Sequence, residues 1–142
     1  MGVKPHPVVA IMDEDSDDRL LLKEAFEQCR QDIDVHPFGT GEDLLDYLTR
    51  EGERNPDSAA DLLILGLHLP LESTFEIIAT IKSNPILKSI PLIVLIGPVP
   101  DTTIKRLYDL GANTVVARPL RWDELVDVLK KICEYWFGPL KI

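Results

Sequence analysis

Four short runs in this chain are apolar without interruption: VVAIM at 8–12, LLIL at 62–65, LIVLI at 92–96 and VVA at 115–117. A strand wetted on one face alternates apolar with polar residues, because successive side chains point to opposite faces. Runs that do not alternate are strands covered on both faces, as in a parallel sheet between two helical layers. Residues 33–38 form a weaker strand, and Pro37 within it lacks a backbone donor, which places it at an edge.

Amphipathic segments separate these runs. Residues 16–30 carry Leu22, Ala25, Phe26 and Cys29 on one helical face. Thr40 precedes a second helix with Leu44, Leu45 and Leu48, and the Ser73–Glu76 spacing reads as a capping box opening a third. Asn84-Pro85 stops that helix. Asp101 is placed to cap a fourth helix that ends at Gly111, and residues 121–136 make the fifth. Residues 51–60 read as a polar loop. Five β–α units with right-handed crossovers put helices on both faces of one parallel sheet, and the topology chosen for it is the flavodoxin-like (βα)5 doubly wound sheet in strand order 2-1-3-4-5. The 142 residues are read as one domain with its core at about 8–136.

Composition excludes several classes. With 15 Lys and Arg against 24 Asp and Glu, the net charge of −9 opposes nucleic-acid binding, which needs clustered cations. No apolar run approaches the roughly 20 residues of a membrane span, and residues 1–7 lack a signal-peptide core, so the expected location is cytoplasmic. Cys29 and Cys133 have no metal-type spacing and read as buried, reduced thiols on apolar helix faces. His6, His36 and His68 are scattered and pair with no nucleophile, so no enzyme is expected.

In a sheet of this kind, function lies at the carboxyl ends of the strands. Asp13 and Glu14 leave the first strand as adjacent carboxylates, the kind of pair that holds a hard cation. Asp17 and Asp18 read as charge complements of the first helix N-terminus. Gly66 follows the third apolar run, in DLLILGLHLP. Ile96 closes the fourth strand that Pro91 opens, and Arg118-Pro119 follows the fifth, three residues after Val115.

In that order these positions resemble bacterial response-regulator receiver domains, from residue 8 to about 136. The resemblance implies phosphorelay signalling in which an Asp at the place of Gly66 would accept phosphate from a histidine kinase. It implies Mg²⁺ held by Asp13, Glu14, that Asp and the backbone carbonyl of His68. It also implies a hydroxyl at Ile96, an aromatic switch residue at Val115 and a Lys at Arg118. Within the family, residues 47–53, 84–91 and 135–137 are similar to single-domain regulators paired with bacterial phytochrome kinases.

The departures converge. Gly66 offers neither nucleophile nor metal ligand, Ile96 no hydroxyl and Val115 no ring. Arg118 keeps a positive charge in a different shape, suited to pairing with Asp13, Glu14 or both. The expectation is a pseudo-receiver acting by contact with a kinase or other signalling protein, or with a second copy. Mg²⁺ binds at most weakly, and His68 is an exposed loop residue. The expected contact surface is that of the fourth helix, fifth strand and fifth helix, with Tyr108, Phe137 and Leu140, while Trp136 packs in the core. The alternative is phosphorylation of a non-standard carboxylate near Asp13 and Glu14.

Overall fold

The computed structural model describes residues 6–55, 59–68 and 71–138. Strands and helices alternate as β1 (Val8–Asp13), α1 (Ser16–Cys29), β2 (Asp34–Phe38), α2 (Gly41–Arg54), β3 (Leu62–Leu67), α3 (Glu72–Ser83), β4 (Leu92–Ile96), α4 (Asp101–Leu110), β5 (Thr114–Ala117) and α5 (Trp122–Phe137). The sheet is parallel throughout, in the order β2-β1-β3-β4-β5 expected from the sequence. Pro37 lies in β2 at the sheet edge, opposite Ile11.

Alternation along the strands divides the core. Val9, Ile11, Leu62, Ile64, Ile93 and Leu95 pack against α1 and α5. Ala10, Met12, Leu63, Leu65 and Val94 pack with residues of α2, α3 and α4 on the other face. All eleven are 1 % exposed or less, which is why the runs are uninterrupted. Truncating one of the large ones, such as Ile64 to Ala, costs about 2–5 kcal/mol through lost transfer energy and the cavity left behind.

Helix starts differ from the sequence reading in two places. Ser73 does not cap α3: the helix begins at Glu72 after Leu71, which makes no side-chain capping bond. The buried Leu71 side chain anchors this start, and its carbonyl accepts from the Phe75 amide. Asp101 is the first residue of α4, after Pro100, and adds negative charge to the first turn instead of capping it. Thr40 does cap α2 through the Asp43 amide, and Gly111 ends α4 at φ 119°, where a side chain would be strained. The polar stretch from residue 51 is helical as far as Arg54.

Candidate functional site at the carboxyl end of the sheet

Parallel pairing brings the sequence-selected positions together. Asp13 ends β1 directly beside Gly66 of β3, and Ile96 ends β4 between Leu67 and Ala117. Arg118 is the first residue past β5, and its amide donates to the Ile96 carbonyl at 3.0 Å. Its side chain therefore starts three strands away from Asp13 and crosses the top of β4 and β3.

Asp13 is fully buried, and polar partners surround its carboxylate. Arg118 Nη2 donates to its Oδ2 at 2.8 Å. Its Oδ1 accepts from the Asp15 amide at 2.9 Å and lies 2.8 Å from His68 Nε2. Its backbone carbonyl accepts from Arg19 Nη1 at 2.8 Å. A buried carboxylate needs such partners, because desolvation alone would drive it neutral. Asp15 caps α1 through the Asp18 amide, and the backbone donors of Asp18 and Asp17 hold its exposed carboxyl below the ordinary range.

Gly66 is what allows Arg118 to reach Asp13. A Cβ on Gly66 would run into Asp13 Oδ2 and Arg118 Nη2, and would stand 3.0 Å from Asp13 Cγ. The ion pair fills the volume that any side chain at this position would need.

Two side chains join the cluster that the sequence reading placed outside it. Asp18 Oδ2 lies 3.4 Å from His68 Nε2 and 3.8 Å from Arg118 Nη1. The His68 ring, read as a free loop side chain, stands against Asp13 and Asp18 with about a third of its surface exposed. Glu14 goes elsewhere: it is exposed and lines the groove between α2 and α3 with Gly41, Glu42 and Glu76. Arg118 thus pairs with Asp13 through one nitrogen and leans towards Asp18; Glu14 takes no part in that pair.

Asp13, Asp18 and His68 present ligand atoms within 4.8 Å of one another. The fit to Mg²⁺ is poor. A hard cation asks for six oxygen ligands in near-octahedral order, whereas here one carboxylate oxygen is committed to a guanidinium and one of the three ligands is an imidazole.

Two clefts flank the Arg118 arm. One of about 260 Å³ lies between it and Leu67, His68 and Leu71. The other, about 350 Å³, is bounded by Gly97, Ile104, Val115, Ala117 and Leu120. Ile96 borders both and is itself buried. The small Val115 side chain leaves the second cleft open, while its amide donates to the Tyr108 hydroxyl at 3.1 Å. Pro119 lines a third, shallower cleft beside Leu120 and Glu124. On the surrounding surface Leu120 is 97 % exposed, Tyr135 78 % and Tyr108 45 %. Phe137, expected to be exposed, packs partly buried against the α1–α5 core, as does Trp136. Leu140 lies outside the described residues.

The fold is that of a receiver, and comparison with known proteins agrees. The chain belongs to the response regulator receiver domain family, whose pattern matches residues 9–130. It is similar to the crystal structure of the phosphorylated cyanobacterial phytochrome response regulator RcpA, with 30% identity, a TM-score of 0.80, and 96% and 97% of the two chains covered. It is 28% identical over 131 residues to FilR2 of Methanothrix harundinacea, a probable methanogenesis regulatory protein, covering 92% of this chain and 84% of that one. It is 25% identical over 132 residues to the response regulator Rcp1 of Synechocystis, with 93% and 90% covered. A Mn²⁺-bound form of Rcp1 shares the fold, with a TM-score of 0.76 over 96% of this chain and 98% of that one at 24% identity.

Proposed function

We propose that this receiver domain works as a pseudo-receiver in two-component signalling: it takes no phosphoryl group at the end of β3 and signals by protein–protein contact. The observation that carries the reading is the Asp13–Arg118 ion pair passing through the space over Gly66. In a receiver that accepts phosphate, that space belongs to the nucleophile. Here it holds a guanidinium bound to the neighbouring carboxylate, and the site has one internally neutralised arrangement. Ile96 and Val115 support the same reading, since neither can answer a phosphoryl group by hydrogen bonding or by swinging a ring.

Mg²⁺ binds weakly at best, because it must displace Arg118 from Asp13. The residues in named roles are Asp13 as the buried anion, Arg118 as its permanent counter-charge, and His68 and Asp18 as the outer partners. The partner is a histidine kinase or another signalling protein in the cytoplasm, and the similarity to RcpA favours a kinase of the phytochrome type. The contact face is that of α4, β5 and α5, where Tyr108, Leu120 and Tyr135 are exposed. A homodimer through that face is the other use of the same surface. Among the described residues, no helix is long and apolar enough to cross a membrane.

The test is incubation with acetyl phosphate and Mg²⁺, read by intact mass, beside a receiver with Asp at the acceptor position. No adduct on this chain while the control labels is the expected result. A stoichiometric, base-labile adduct overturns the reading, and peptide mapping then distinguishes a carboxylate near Asp13 and Glu14 from any other.

A further inference from the structure

Cys29 and Cys133 lie far apart in sequence and meet in the fold. Cys29 is the last residue of α1 and Cys133 lies in the last turns of α5, and the two helices pack together on one face of the sheet. Cys133 is fully buried, whereas Cys29 is half-buried at the edge of the same core. The two thiols interact directly across this seam. One sulfur is therefore open to a small solute, and the other stands behind it, shielded from solvent.

Their surroundings divide the roles further. The hydrogen-bonding Cys133 thiol holds the Cys29 thiol below its ordinary value, and the positive charges of Arg30 and Lys130 act in the same direction. Cys133 is pushed up, first by the same hydrogen bond and then by burial. The thiolate is the reactive form, and an oxidant in solution meets the half-buried Cys29 sulfur before the buried Cys133 sulfur.

We propose that Cys29 and Cys133 are a peroxide-responsive thiol pair that closes to a disulfide and ties α1 to α5. The Cys29 thiolate attacks one oxygen of hydrogen peroxide; the O–O bond breaks, and the departing hydroxide takes a proton and leaves as water. Cys29 is then a sulfenic acid. The Cys133 sulfur attacks the Cys29 sulfur, the S–O bond breaks, and the Cys133 proton leaves with the hydroxyl as a second water. The two thiols lose two electrons and two protons in all, and peroxide gains them. Intracellular disulfides of this kind are transient and redox-sensing more often than structural. The crosslink acts on the opposite face of the sheet from α2, α3 and α4, and it stands whether or not the site above Gly66 accepts phosphate.

The experiment treats the reduced full chain with hydrogen peroxide, denatures it, alkylates free thiols with N-ethylmaleimide and reads the intact mass. The expected product is a monomer that has lost two hydrogens and takes up no maleimide. Digestion then yields one reductant-cleavable peptide pair joining residues 29 and 133. Cys133→Ala stops at a Cys29 sulfenic acid trapped by dimedone, and Cys29→Ala leaves Cys133 free to alkylate. Because Cys133→Ala opens a buried space, the peptide map of the unaltered chain decides the matter if that variant fails to fold. Two alkylated thiols after peroxide overturn the proposal. So does a crosslink between chains, or oxygen added to Cys29 of the unaltered chain without closure.

Discussion

Arg118 reaches across the ends of β4 and β3 to donate to Asp13 on β1 at 2.8 Å, and Gly66 is the residue it passes over. The pair ties the end of β1 to the end of β5 across the two strands between them. The Asp13 carboxylate is fully buried and the Arg118 side chain only 16 % exposed, so solvent screens the pair little. Breaking such a pair from one side leaves an uncompensated charge, which is the costly case.

Arg118→Ala should therefore destabilise the fold by about 2–4 kcal/mol, somewhat less than the full cost of an orphaned buried charge, because His68 and the Asp15 amide remain on Asp13. Urea denaturation of the two proteins measures the difference. An unchanged midpoint would mean that the pair contributes nothing, and the internal-lock account of the site would fail.

Restoring the acceptor by Gly66→Asp should not restore a working receiver. The new Cβ meets Asp13 and Arg118, and the added carboxylate joins a buried anion already neutralised by one guanidinium. The expected cost is about 1–3 kcal/mol, with no acetyl phosphate labelling. Adding Arg118→Lys to the same chain, which withdraws the planar guanidinium, should recover part of that stability. Intact mass and denaturation midpoints of both variants report the outcome.

Val115→Phe should be tolerated, against the rule that enlarging a packed residue costs about 1–3 kcal/mol. The cleft of about 350 Å³ beside Val115 has room for a ring, and the hydrogen bond to the Tyr108 hydroxyl comes from the backbone, which the substitution keeps. A denaturant midpoint within the equivalent of about 1 kcal/mol of the parent is expected. A larger loss would mean that the cleft does not accept the ring.

The sheet was legible because strands buried on both faces cannot hide their pattern: Leu62, Leu63, Ile64 and Leu65 are all solvent-free, two on each face. Crossover handedness placed helices on both faces, the strand order was chosen as the flavodoxin-like one, and the position of Gly66 at the end of an apolar run marked a strand end. Side-chain direction in the loops was not legible. Nothing in the spacing sets the His68 ring against Asp13. Asp18 carries the same local signal as a residue that only complements a helix end. One clue was present for Asp18: it lies three residues, or about one helical turn, after the Asp15 cap, and so returns towards the strand end. Glu14 was chosen because it adjoins Asp13, yet in the fold it lines the α2–α3 groove instead.

That distinction can be measured. Glu14→Gln should change stability by no more than about 0.5 kcal/mol, as for exposed positions generally. Asp18→Asn should weaken the cluster measurably, since it removes the charge facing both His68 and Arg118. If the two substitutions have equal effects, Asp18 is only a surface charge on α1.

A second ion pair gives the fold a pH dependence of known sign. Arg30, itself 6 % exposed, holds Asp32 with two hydrogen bonds of 2.9 and 2.8 Å, and donates to the Gly138 carbonyl that closes α5. The Arg30 guanidinium beside Asp32 holds its carboxyl below the ordinary range. In the unfolded chain the same carboxyl has an ordinary value of about 4, so as the pH falls the unfolded state takes up the proton first. The stabilisation is therefore complete above about pH 5 and is lost as the pH drops through the lowered folded value. Asp32→Asn removes this contribution at every pH. Between about pH 5 and pH 3 its urea midpoint should fall less than that of the parent chain, whose other carboxylates are unchanged. Parallel declines in the two proteins would show that Asp32 titrates alike folded and unfolded, and that the Arg30 clasp contributes no linkage.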